Sequence, residues 1–308
     1  MLAHARITLF AAGAVLIANH LVLAAGHHVF AATCIDAVVL VLLLNAAAFY
    51  ESRSDGPVLL VLRLNAAAFH ESRSDGRDVI VAGALGALAL AAAVPVAAAA
   101  LPLSHVSEAT GTITIGLPVA VAAVYFASRQ RIRLRPLFTP AGAALNVATV
   151  AAAVAFGFCA YLLKAPVMDT HRPKTAALGV AALIVAAVAE ELLFRGVVQT
   201  SLTRALGVQG LAFAILLSAG LLTSVSWWMI AALAAITSFA LVVAATGALG
   251  PAIAGHLAFT LGAVLVWPSV LDHRHLALRI SVPLCVVLCA GLVVVVGAFA
   301  RNVGRRNV

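Results

Sequence analysis

Charge is scarce in this sequence. Asp, Glu, Lys and Arg make up 10% of its 308 residues, against roughly 25% in soluble domains, too little to coat a globular surface in water. Aromatics are sparse at 6%, and the four cysteines, Cys34, Cys159, Cys285 and Cys289, all fall inside apolar segments. Only Cys285 and Cys289 are closely spaced, one helical turn apart, which reads as packing rather than as a metal site or a disulfide. The strict alternation that a membrane β-barrel requires is missing. So is a small-residue cleavage site ahead of a soluble remainder, and the apolar run beside Arg6 reads as a first span rather than a signal peptide.

What is present is hydrocarbon-like. Hydrophobic residues make up 64% of the chain, with mean hydropathy +1.12. A bilayer core takes about 20 apolar residues per spanning helix and leaves no water for unpaired backbone. The fold class is therefore all-α, a polytopic transmembrane bundle. Apolar runs predict about ten spans, near 7–26, 29–49, 79–103, 111–127, 141–163, 175–193, 208–225, 227–247, 251–271 and 279–300. The net charge of +8 does not point to nucleic acid, because the basic residues sit in short clusters between spans. With the N-terminus in the cytoplasm, fourteen Lys and Arg fall on the inner side and five on the outer. That split predicts both termini cytoplasmic.

A tandem duplication is visible: VLLLNAAAFYESRSDG at 41–56 returns as VLRLNAAAFHESRSDG at 61–76. Two copies do not make a solenoid, which needs at least three stacked units. The apolar part of the second copy, 57–69, is too short to span and carries Arg63. It is expected along the cytoplasmic interface or as an extension of the second helix.

Ionisable groups within spans cost about 2.5–3.5 kcal/mol each on insertion scales, so each needs a reason. Asp36 reads either as a proton or ion site or, preferably, as a carboxyl bonded to a neighbouring helix. Asn19, His20, His27 and His28 read as interfacial or interhelical hydrogen-bonding groups. Glu190 and Glu191 differ, since they close an apolar run and are followed by Leu-Leu-Phe-Arg195-Gly196. Neighbours on a helix point about 100° apart, so the two acids have separate roles. Glu191 and Arg195 are spaced for an i,i+4 ion pair, acid first, which leaves Glu190 free to act as a general base on water. The competing reading is a helix end emerging into headgroups with all three charges solvated. His256, behind the Gly250-Pro251 helix start, suits an oxyanion donor, a water holder or a metal ligand, or else a packing histidine.

Together, Glu190-Glu191-Leu-Leu-Phe194-Arg195-Gly196 and, about sixty residues later, Thr246-Gly247, Pro251 and His256 resemble the CPBP family, the CAAX-protease and bacteriocin-processing (Abi) intramembrane proteases. The resemblance covers about 174–265. It implies that Glu190 activates water, that Glu191 and Arg195 support the site, and that His256 stabilises the substrate or transition state. The family's second motif, a phenylalanine four residues before a histidine, falls on Leu222 and Ser226 here, and the Asn or Asp closing the third motif falls on Thr260. Both substitutes can hydrogen-bond, but neither offers an imidazole. On this basis the chain divides into N-terminal helices at 1–173, a protease-like domain at 174–265 and a C-terminal helix with a basic tail at 266–308.

The expected function is an intramembrane endopeptidase, with Ser226 or Thr260 assisting His256 at the oxyanion. The expected setting is the bacterial plasma membrane, and the expected partners are membrane lipids and a peptide or membrane-protein substrate, not nucleic acid. The cofactor is left open: the family's metalloprotease name raises a divalent metal such as zinc, with Glu190, Glu191 and His256 as the available ligands. The rival is a catalytically degenerate family member that binds peptides or partner proteins. A transporter would rest on Asp36 and the helix count alone, with no matched pair of broken half-helices.

Overall fold

The computed structural model describes residues 2–24, 29–55, 76–100, 107–132, 142–166, 173–222, 226–271 and 277–306. Among them no strand occurs, and ten helical rods follow one another. These are α1 (Leu2–Ala24), α2 (Val29–Asp55), α3 (Gly76–Ala100), α4 (Glu108–Arg129), α5 (Ala143–Leu162) and α6, which runs unbroken through Pro173–Glu191, Leu192–Gln199 and Thr200–Leu206. They continue as α7 (Val208–Leu222), α8 (Met229–Thr246), α9 (Gly250–Leu261, Gly262–Val266 and Trp267–Leu271) and α10 (Leu278–Arg306). Seven are long and apolar enough to cross a membrane, while α1, α2 and α7 contribute shorter apolar stretches at 7–19, 33–47 and 208–220. The protein is an integral membrane protein built as a helical bundle. The first copy of the duplication lies in α2 as far as Asp55, and the second, including 57–69, falls almost wholly outside the described residues.

One boundary departs from the sequence reading. The span expected at 175–193 continues to Leu206, so Glu190 and Glu191 sit about midway along a 31-residue apolar rod at 176–206. They do not mark a helix end. Their charges are matched inside the bundle, and the chain has no need to leave it.

In lipid no hydrophobic force draws helices together, and close van der Waals approach of small residues takes its place. Accordingly Ala84, Ala87 and Ala91 of α3 are fully buried, and α2 lies along α3. The pairs that position the site are α6 with α4, α9 with α5, and α8 with α10, with α9 also touching α6 and α8. Trp267 of α9 donates its indole N–H to the Val154 carbonyl of α5 at 3.1 Å, pinning the end of the histidine-bearing helix. Asp36 of α2 is buried, with Asn19 of α1 as a hydrogen-bonding neighbour. All four cysteines are free thiols, and those of α5 and α10 are packed, with Cys285 Sγ 3.8 Å from the Cys159 carbonyl.

Candidate active site

Two interruptions of α-helical geometry flank the polar centre. Residues Leu192–Gln199 of α6 and Gly262–Val266 of α9 are π-helical, the first directly after Glu191 and the second six residues after His256. Such insertions are rare and collect at functional sites, because the added residue re-aims the side chains around it. Within the first, the Thr200 hydroxyl donates to the Arg195 carbonyl at 3.2 Å, occupying an acceptor that the widened turn exposes. This segment lies where α3, α4, α7 and α8 meet α6, and all eight of its residues are buried.

Arg195 is 2% exposed and Glu191 0%. An arginine there is costly unless its donors are satisfied; two make hydrogen bonds, and Nε faces its carboxylate as an ion pair without one. Nε lies 3.4 Å from Glu191 Oε2, Nη1 donates to Ser218 Oγ of α7 at 2.7 Å, and Nη2 donates to the Ile236 carbonyl of α8 at 3.3 Å. One turn further along α6, Gln199 Nε2 donates to the Ala240 carbonyl of α8 at 3.0 Å.

His256 comes in from α9. The start of that helix follows from its sequence: α8 ends with Gly247 at φ +68°, a left-handed cap that suits glycine, and Thr246 Oγ1 accepts from Ala248 N at 3.2 Å before Pro251 enters the first turn. The imidazole sits between the two carboxylates. Nδ1 is 2.9 Å from Glu191 Oε1, and Nε2 is 3.4 Å from Glu190 Oε2. The two acids therefore have separate jobs, as their angular separation requires. Glu191 is enclosed, with one oxygen on His256 and the other on Arg195, whereas Glu190 is 27% exposed and His256 15%. The open side of the cluster is Glu190 and the Nε2 edge of His256.

The structure thus brings Glu190, Glu191, Arg195 and His256 together. The described part of α7 ends at Leu222, and Ser226 is exposed in a bend just before α8. The α7 hydroxyl on the site is Ser218, fully buried on Arg195. The sequence reading assigns it no role, because the second motif falls on Leu222 and Ser226. Thr260 donates its hydroxyl proton to the His256 carbonyl at 2.9 Å, the ordinary back-bond of a helical threonine. Gln199 was also missed, since a lone glutamine on an apolar helix gives no local signal.

The donor set does not suit a metal. Both Glu191 oxygens and His256 Nδ1 are engaged within the cluster, which leaves Glu190 and Nε2 where zinc usually takes three or four protein ligands. Among the described residues no group of three or more His, Cys, Asp or Glu side chains is disposed to hold a metal ion.

No curated protein and no solved structure gives a significant match to the chain. A family model does: residues 172–262 match that of the Rce1-like, type II CAAX prenyl endopeptidases. The matched stretch runs from the start of α6 to just past His256 and contains every member of the polar cluster. Over residues 172–262 this integral membrane protein is thus similar to the Rce1-like family of CAAX-protease-type membrane endopeptidases.

Proposed function

We propose that the protein is an intramembrane endopeptidase in which Glu190 activates water. One observation carries the reading: Glu190 and His256 Nε2 stand 3.4 Å apart as the exposed members of a cluster whose other charges are enclosed. Water held by Glu190 gives up a proton to the carboxylate as its oxygen bonds to the scissile carbonyl carbon. The carbonyl oxygen takes the negative charge, and an imidazolium Nε2–H of His256 donates to it. When the C–N bond breaks, the proton on Glu190 passes to the leaving nitrogen, and the base is regenerated. Glu191 holds Nδ1 and so fixes which ring edge faces the substrate, while Arg195 holds Glu191. No step is routed through a metal.

The distribution of basic residues supports an orientation with both termini in the cytoplasm, and the setting proposed is a bacterial plasma membrane with cleavage toward its cytoplasmic face. The substrate class is a peptide or membrane protein. The test is incubation in proteoliposomes with membrane-tethered peptides, prenylated and not, followed by mass spectrometry of new termini. One endoproteolytic cut, unaffected by a chelator, is expected; loss of cleavage in chelator would contradict the metal-free step.

A second reading has its own support. Ser226 is exposed and the Thr260 hydroxyl is bonded to its own helix, which weakens the support for a second oxyanion donor beside His256, and one such donor is worth about 2.7–4 kcal/mol. A catalytically degenerate member would bind the same peptides without cutting them. Crosslinking to intact peptide, with no new termini, would select it.

A further inference from the structure

One face of α8 grips the site from outside the motif residues. Ile236 and Ala240 offer carbonyls to Arg195 and Gln199, and Phe239, i+3 from Ile236, lies over the imidazole of His256. The two rings are 6.3 Å apart between centroids and 19° from parallel, an offset stack. Phe239 is 2% exposed and belongs to the buried core. The neighbour of the histidine makes room for it: a Cβ on Gly255 would come within 2.6 Å of Phe239 Cε1 and 3.1 Å of Thr149 Cγ2. Any side chain at 255 would push the ring away from His256. The glycine and the aromatic are thus matched, one on each helix.

The contact has a chemical consequence. A hydrogen bond to Glu191 at Nδ1 and a 3.4 Å approach to Glu190 at Nε2 hold the imidazole only at its edges, so it can still tilt through small coupled changes of its two side-chain torsions. A flat apolar surface against one face opposes that tilt. We infer that Phe239 is a positioning residue for His256, holding the imidazole plane so that Nδ1 stays on Glu191 while Nε2 stays on the open side next to Glu190. As a statement about catalysis this rests on the peptidase reading; as a statement about the ring it does not. The test below keeps the two apart.

The readout is the ¹⁵N spectrum of histidine-labelled full-length protein in detergent micelles, with the His256 resonances identified by their loss in His256→Gln. Phe239→Leu keeps an apolar side chain but removes the flat face, and Phe239→Tyr keeps the face. Leu is expected to shift and broaden the His256 signals as the ring samples more than one orientation, while Tyr leaves them near their original positions. Gly255→Ala should reproduce the Leu effect from the opposite helix, and in the double variant the two effects should not add, because both remove the same contact. If Phe239→Leu does not fold, Gly255→Ala alone decides.

Unchanged His256 signals in Phe239→Leu or in Gly255→Ala overturn the inference, and so do equal shifts with Leu and Tyr. If the peptidase reading also holds, Phe239→Leu should lower kcat by about 10–10²-fold through misorientation of the ring, with KM little changed. Shifted signals in a protein that cleaves nothing would sink the peptidase reading and leave the positioning role standing.

Discussion

The two ends of this bundle handle polarity differently. In α1–α4 the buried polar side chains among the described residues are Asn19 and Asp36, set in a core of alanine and leucine. Between residues 191 and 238 there are six: Glu191, Arg195, Gln199, Ser201, Ser218 and Ser238. Three of them, Glu191, Arg195 and Ser218, join into one network across α6, α7, α8 and α9, with His256 at its open end, and Gln199 bonds α8 beside it. Since each ionised group costs kilocalories in a low-dielectric interior, such a concentration has to be held by mutual pairing. The first region shows what the chain does when it only packs, and the second what it does when it must aim side chains.

Breaking the network at its centre should have the largest effect. Arg195→Ala leaves Glu191 buried without its cation, a loss of about 3–5 kcal/mol, and should show as a sharp fall in monodisperse protein after detergent extraction. Wild-type yield would mean that the pair is solvated. Ser218→Ala removes one charge-assisted hydrogen bond, worth about 1.5–3 kcal/mol, and should lower the melting temperature while leaving the protein extractable. Asp36→Asn, in the packing region, keeps a hydrogen-bonding group beside Asn19 and should change stability by under about 1 kcal/mol. A larger change, or a loss of cleavage, would give Asp36 a functional weight that the comparison denies it. Ser226→His should be the mildest, within about 0.5 kcal/mol and without gain of activity, since position 226 is exposed beyond α7. A rise in cleavage with that variant would restore the second-motif alignment.

These contrasts also separate what could be read from sequence from what could not. The helices were legible because each apolar run is long, and the Glu191–Arg195 pair because i,i+4 spacing is a local rule. The extent of α6 was not: three charges in a row look like an exit from the membrane until a histidine from α9, a serine from α7 and carbonyls from α8 are seen to receive them. Ser218 and Phe239 lay beyond reach for a related reason. Their importance depends on which helix faces which, and nothing in the local residue pattern of α7 or α8 distinguishes a serine or phenylalanine on the site from one in ordinary packing. The π-helical turn at Leu192–Gln199 was likewise out of reach, since its Arg195 and Gln199 bond to α7 and α8 and nothing local marks it.

The central claim is that Glu190, the exposed acid, is the base and Glu191, the enclosed one, is its support. The most direct measurement compares Glu190→Gln with the wild type in the same proteoliposomes, scoring both new peptide termini and melting temperature. The account predicts wild-type stability with cleavage reduced by about 10²–10⁴-fold, because an amide cannot take the proton from water. Cleavage at the wild-type rate by a folded Glu190→Gln protein would contradict it.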